Sequence, residues 1–161
     1  SRKWTRFTVV REPASRLLSG YLEKIRQGLK QSGPILAALQ ERGDAPARAE
    51  DVTFEQFIDV VSSTPSRDQD PHWRRQADHL GLEFIRYDDV IHLEDLDASW
   101  PKIAKLTGVP DLQEQFFCKN STGARSRLAE FYTPELLIQV GKAYAHDYGD
   151  LNYEPPSITG T

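Results

Sequence analysis

The sequence predicts a mostly helical α/β fold, and three observations carry the prediction. Residues 7–10, Phe-Thr-Val-Val, form a short apolar, β-branched run of the kind that makes a buried strand. Arg11 and Glu12 close it, and Pro13 suits a first helical position, where a missing N–H costs nothing. Leu17, Leu18, Tyr21, Leu22 and Ile25 then recur at helical spacing. Residues 82–87 alternate apolar and charged side chains (Leu82 and Phe84 against Glu83 and Arg86), which predicts a second strand. Most of the remainder is punctuated as helix.

The first helix is expected over residues 13–30, with Glu23, Lys24, Arg26, Gln27 and Lys30 on its wet side and Gly33-Pro34 as its break. Residues 34–40 read as a short helix ended by Gly43, and residues 44–51 as a polar linker. Thr53-Phe54-Glu55-Gln56 is a capping box that opens a helix through about Val61, with Phe54, Phe57, Ile58 and Val61 on its apolar face. Residues 62–71 are a loop rich in Ser, Pro and Asp, after which His72 and Trp73 start a helix with Trp73 packed inward. Residues 97–106 form a helix with Pro101 near its start and Gly108 and Pro110 at its stop. Residues 116–127 are irregular and basic. Thr133-Pro134-Glu135 then supplies the N-cap, first residue and first-turn acid of a last helix, buried through Leu136, Leu137, Val140 and Tyr144. Residues 1–154 are read as one domain and 155–161 as a flexible tail.

A single domain of 161 residues buries about 70% of its unfolded surface. Hydrophobic content of 39% with 27% charged residues excludes a disordered chain. No apolar run approaches the roughly 18 residues a membrane span needs. The net charge of −4 argues against non-specific binding to nucleic acid or anionic membranes, and aromatic and basic residues are not interleaved as in nucleic-acid binders. The single Cys118 excludes an internal disulfide and a cysteine-based metal site, and no His, Asp and Glu spacing reads as a metal site. The chain has no Met and opens almost directly on its first strand, so an excised, processed or incomplete polypeptide is expected.

The strand–turn–helix unit is the main functional signal. In an open α/β sheet ligands lie beyond the carboxyl ends of the strands, where Arg11 stands. Helix N-terminal N–H groups beside a guanidinium suit a phosphate, and Ser19, eight residues on, adds a hydroxyl donor. Two readings stay open: a phosphate clamp, or a surface ion-pair partner with a Ser merely tolerated in the helix.

The stretch Val-Val-Arg-Glu-Pro-Ala-Ser-Arg-Leu-Leu-Ser-Gly-Tyr (residues 9–21) resembles the 3′-phosphate-binding motif of sulfotransferases that use 3′-phosphoadenosine 5′-phosphosulfate (PAPS). It is most similar to the carbohydrate, sulfotransferase family 2-like branch, whose pattern reads Arg-Asp-Pro, two residues, Arg-Leu, one residue, Ser, one residue, Tyr. Glu12 stands where Asp is usual. Three further stretches share the resemblance: Asp70-Pro-His72-Trp73-Arg-Arg-Gln76, Tyr87-Asp88 through Leu93-Glu94, and Tyr144 through Tyr153.

The resemblance implies a P-loop-like sulfotransferase fold, with a short parallel sheet flanked by helices. It implies PAPS as sulfuryl donor without a metal, and a carbohydrate or other hydroxyl-bearing small molecule as acceptor. Arg11 and Ser19 fall on the family's 3′-phosphate ligands. Arg125 and Arg127, with Lys119 and residues 120–122, fall on the loop with which relatives cover the nucleotide; a solvated charged loop is the other reading. His72 is the candidate base for the acceptor hydroxyl, and Trp73 and Gln76 lie on the acceptor side in the family's arrangement. Asp88 and Glu94 are expected in structural roles, and His79 and His92 as ordinary surface or helix residues.

Eukaryotic members of the family work in the Golgi lumen and commonly carry cysteines near the Tyr-Asp segment. Residues 80–84 carry none, so a cytoplasmic, bacterial-type setting is expected. The family's separate Lys-bearing loop for the 5′-phosphosulfate is not found in these residues. The expectation is therefore a sulfotransferase, incomplete and inactive as these residues alone; the alternative is a catalytically dead relative serving as a helical interaction module.

Overall fold

The structure, a computed structural model, describes residues 4–115 and 123–156. Strand β1 (Phe7–Val10) runs into α1 (Pro13–Gly20), which continues as a π-helical turn over Tyr21–Ile25. There follow α2 (Ser32–Glu41), α3 (Phe54–Ser63), α4 (Gln76–Leu80), β2 (Asp89–His92), α5 (Leu96–Thr107) and α6 (Leu112–Gln115). Helices α7 (Leu128–Phe131), α8 (Pro134–Ala143) and α9 (Ala145–Asp150) complete the described chain. The two strands pair in parallel, Phe7 opposite Asp89 and Val10 opposite His92, so both carboxyl ends lie at one end of the sheet.

The first helix is shorter than its apolar periodicity predicts. The Arg26 N–H bonds to the Tyr21 carbonyl, the wider π spacing, and Gly28 at φ +60° ends the run. Gly33-Pro34 does not break a helix; the pair lies in the first turn of α2, where proline's missing N–H is harmless. The second strand is also displaced. Residues 82–84 belong to a turn built on Gly81 at φ +63°, whose carbonyl accepts from the N–H groups of Phe84 and Ile85. The alternation at 82–87 reflects side chains around that turn, and Phe84 is left 84% exposed. Pairing begins instead at Asp89, where the chain meets β1. His72 and Trp73 precede a helix by a turn, since α4 starts only at Gln76.

The elements with explicit caps stand where expected. Thr53 and Gln56 form both bonds of the capping box, and Thr133 caps α8 ahead of Pro134. Gly108, at φ +73°, stops α5. The short α9 has no strong sequence cap and was not anticipated.

The core is aromatic and sits beneath α1. Tyr21, Phe54, Phe57, Trp73 and Tyr132 are buried together; Phe54 meets Tyr132 edge-on at 4.9 Å and Phe57 meets Trp73 edge-on at 5.4 Å. Such pairs contribute about 0.5–1.5 kcal/mol each beyond area burial. A smaller cluster of Ile91, Trp100 and Ile103 packs α5 on β2. Among the described residues no helix is long and apolar enough to cross a membrane.

Candidate functional site

Arg11 leaves β1 at its carboxyl end, and its backbone is held from both sides by one side chain. The Arg11 N–H donates to Gln76 Oε1 (2.9 Å), and Gln76 Nε2 donates to the Arg11 carbonyl (2.7 Å). Gln76 thus takes the place of a neighbouring strand. Gln76 is itself fixed by Asp147 on α9, whose carboxylate accepts the N–H groups of Gln76 and Ala77 at 2.8 Å each and so caps α4. Burial pushes the Asp147 carboxyl up; the two backbone donors and the Arg16 charge pull the other way without cancelling it.

The start of α1 differs from the expected anion cradle. Glu12 Oε1 and Oε2 accept the N–H groups of Ala14 (2.9 Å) and Ser15 (2.6 Å), so the protein's own carboxylate sits at the helix N-terminus. Glu12 Oε1 also accepts the Tyr148 hydroxyl at 2.8 Å. The longer Glu in place of Asp reaches these donors, and a ligand anion here must be held by side chains.

Those side chains converge. Arg11, Arg16, Ser19, Gln76 and His72 line one cavity of about 360 Å³. Arg11 Nε donates to Ser15 Oγ at 2.9 Å, which aligns its guanidinium along α1. Arg16 donates to the Arg74 and Pro71 carbonyls (2.7 and 2.6 Å), pinning the 71–74 loop against α1. Burial lowers the Arg16 pKa and Asp147 opposes the shift, but an arginine stays cationic throughout. Ser19 is 8% exposed, close under the cavity floor. His72 is bound through Nδ1 to Asp70 Oδ1 at 2.6 Å, and its N–H donates to the same oxygen at 2.9 Å. Partial burial pushes the Asp70 carboxyl up, yet the backbone and ring bonds from His72 outweigh it and hold the carboxyl below its usual range. With Nδ1–H directed to a carboxylate, Nε2 carries the lone pair.

The other expected residues are divided. Trp73 is 2% exposed and packs edge-on to Phe57, so its indole offers no surface to an acceptor; it anchors the loop that carries His72. Gln76 borders the cavity, but both its amide groups are engaged by Arg11. Arg125 is not with Arg11: it lines a second cavity, of about 780 Å³, with Glu12, Glu94 and Tyr153. Arg127 pairs with Glu130 at 2.9 Å and lies over the Phe131 ring at 5.1 Å. Lys119, residues 120–122 and Cys118 lie outside the described residues. Asp88 and Glu94 are structural, as expected: Asp88 accepts the Arg6 N–H, and Glu94 accepts the Glu12 N–H and the Tyr153 hydroxyl. His92 is no ordinary surface residue, since it bonds to the Leu151 carbonyl and stacks on Tyr153.

Residue-by-residue reading missed Arg16, Asp70 and Asp147 as supports of the site. Arg16 and Asp70 stand inside the quoted motifs, which was the available signal. Asp147 had none beyond its place in the closing Tyr-rich stretch. Three tyrosine hydroxyls tie the C-terminal segment to the site: Tyr132 donates to the Ala14 carbonyl, Tyr144 to that of Trp73 and Tyr148 to the Glu12 carboxylate.

The model of the Sulfotransferase family matches residues 1–154. Two curated relatives, both carbohydrate sulfotransferase 11, from Rattus norvegicus and Mus musculus, are each 25% identical over 171 residues covering 97% of this chain and 49% of theirs. The chain therefore spans about half the length of the curated relatives it matches. No solved structure matches it. The mammalian relatives overturn the cytoplasmic, bacterial-type expectation, since the matches fall in the eukaryotic branch from which that expectation set the chain apart. The cysteine argument failed because the absence of cysteines at residues 80–84 does not by itself identify a redox compartment.

Proposed function

Because the chain belongs to the sulfotransferase family over residues 1–154, we propose that it forms the 3′-phosphate and acceptor-activating part of an enzyme that sulfates a hydroxyl of a carbohydrate, with PAPS as donor on a P-loop-like framework. The observation that carries this reading is the gathering of Arg11, Arg16, Ser19 and His72 around one cavity at the carboxyl end of β1. Two guanidinium groups and a hydroxyl around one open cavity form a donor set that fits a phosphate monoester.

PAPS supplies the sulfuryl group when bound. Arg11 and Ser19 hold its 3′-phosphate, with the Gln76 bracket preventing Arg11 from swinging away. Arg16 adds positive potential at the cavity while keeping the 71–74 loop in place. Asp70 orients the His72 ring through Nδ1, which leaves Nε2 to take the proton of the acceptor hydroxyl. Arg125 and Arg127 approach the nucleotide only through a rearrangement of their segment.

Calorimetric titration with 3′-phosphoadenosine 5′-phosphate tests the reading. Wild type is expected to bind, and Arg11→Ala to lose about 2 kcal/mol, roughly 30-fold, the lower end for truncating a charge pair in a half-buried site. Folded wild type that gives no heat of binding would favour the interaction-module alternative.

A further inference from the structure

The cavity that gathers Arg11, Arg16 and Ser19 also has a carboxylate in its wall. Arg16, Ser19 and Glu23 recur at three- and four-residue spacing along α1 and the π-helical turn that extends it, and all three line the 360 Å³ space with Arg11 and His72. The guanidinium groups and the hydroxyl present N–H and O–H donors, which suit phosphate oxygens. An ionised carboxylate accepts only, and it repels a phosphate. It fits beside a phosphate site when the ligand carries a donor of its own close to the phosphate.

The Glu23 carboxylate is held through one of its oxygens. Lys24 Nζ donates to Glu23 Oε1 at 3.0 Å, and the two side chains are only 14% and 28% exposed. Among the described residues Glu23 Oε2 has no hydrogen-bond partner. Side chains one helical turn apart have Cβ atoms about 5–6 Å apart, and Glu23 stands one turn beyond Ser19. A phosphate gripped by Arg11 and Ser19 therefore brings the substituent on its adjoining carbon within reach of Glu23. In a ribose 3′-phosphate that substituent is the 2′-hydroxyl, a donor for Oε2. In a 2′-deoxyribose it is a hydrogen, and the carboxylate then gains nothing to offset its repulsion of the phosphate.

We propose that Glu23 is a specificity-determining residue of the phosphate cavity: it accepts a hydrogen bond from a hydroxyl vicinal to the bound phosphate, and so selects a ribose 3′-phosphate over its 2′-deoxy counterpart. The inference rests on the phosphate reading above and adds a second contact to it. A hydrogen bond to an ionised group in a partly exposed site discriminates by about tenfold, because water screens the carboxylate when the hydroxyl is absent.

The test is calorimetric titration of the chain with 3′-phosphoadenosine 5′-phosphate and with 2′-deoxyadenosine 3′,5′-bisphosphate. Wild type is expected to bind the ribonucleotide at least fivefold more tightly. Glu23→Ala is expected to shrink the gap below twofold while binding the deoxynucleotide no more weakly than wild type does; a merely structural role would weaken both nucleotides alike. Lys24→Met breaks the same ion pair but keeps the carboxylate, and is expected to leave a gap of at least fivefold. Equal binding of the two nucleotides by wild type, a gap that survives Glu23→Ala, or a gap that Lys24→Met closes as fully would overturn the role of Glu23 and leave the phosphate site standing. Folded wild type that binds neither nucleotide would remove the phosphate site and this inference together.

Discussion

Replacing Gln76 by Leu probes the link between the C-terminal helices and the phosphate motif. The side chain is 7% exposed and makes two bonds to the Arg11 backbone, at 2.9 and 2.7 Å. Leucine keeps much of the volume but removes both the donor and the acceptor. Each lost bond has a net worth of about 1 kcal/mol, and each backbone group left without a partner in a half-buried site adds about 1 kcal/mol more. The expected loss is thus about 2–4 kcal/mol, read as a lower urea midpoint at unchanged slope. Trp73, buried beside the same loop, supplies the fluorescence signal. Gln76→Glu is the control: it keeps an acceptor for the Arg11 N–H but sets a carboxylate against the Arg11 carbonyl, so it rescues little. Nucleotide affinity should fall with stability, because Arg11 is then free to leave the cavity wall. A Leu variant within about 0.5 kcal/mol of wild type, binding nucleotide normally, would refute the role given to this bracket.

Tyr144→Phe removes the 2.6 Å bond to the Trp73 carbonyl and should cost about 1–2 kcal/mol in urea denaturation; no change would mean that water replaces the hydroxyl. Thr53→Ala deletes one half of the capping box and should cost about 1 kcal/mol, largely recovered by Thr53→Ser. The pH dependence should carry opposite contributions from two aspartates. Asp147 has its folded pKa raised, mainly by burial, so the folded state holds the proton more tightly than the unfolded chain. Its contribution to stability declines as pH rises from the ordinary carboxylate range through that raised value. Asp147→Asn should flatten this decline in a series of melts from acid to neutral pH. Asp70 has its folded pKa lowered, so its contribution is present above the ordinary carboxylate range and is lost as pH falls through the lowered value. Asp70→Asn should therefore cost stability at neutral pH and little in strong acid; an equal cost at both would contradict the His72 pairing.

The parts of this protein legible in its sequence are those whose causes lie within a few residues. The β-branched run at 7–10, Pro13 after it, the Thr53–Gln56 box and Gly108 at the end of α5 each specify local backbone by themselves. Resemblance of motifs carried the family, and Arg11, Ser19 and His72 do meet at one cavity. The second strand was misplaced by a few residues because alternation around an exposed turn looks the same, in sequence, as alternation along a half-buried strand. What only the tertiary structure decided are relations across long separations. Asp147 caps a helix 71 residues upstream, Gln76 stands in as a strand for Arg11 across 65, and Tyr148 reaches Glu12 across 136. Tertiary packing also sent Arg11 and Glu12, adjacent in the chain, to line two different cavities. Local propensity sets the direction a chain takes over a turn or two; which side chains share a space depends on how distant helices dock, and no spacing within a motif encodes that.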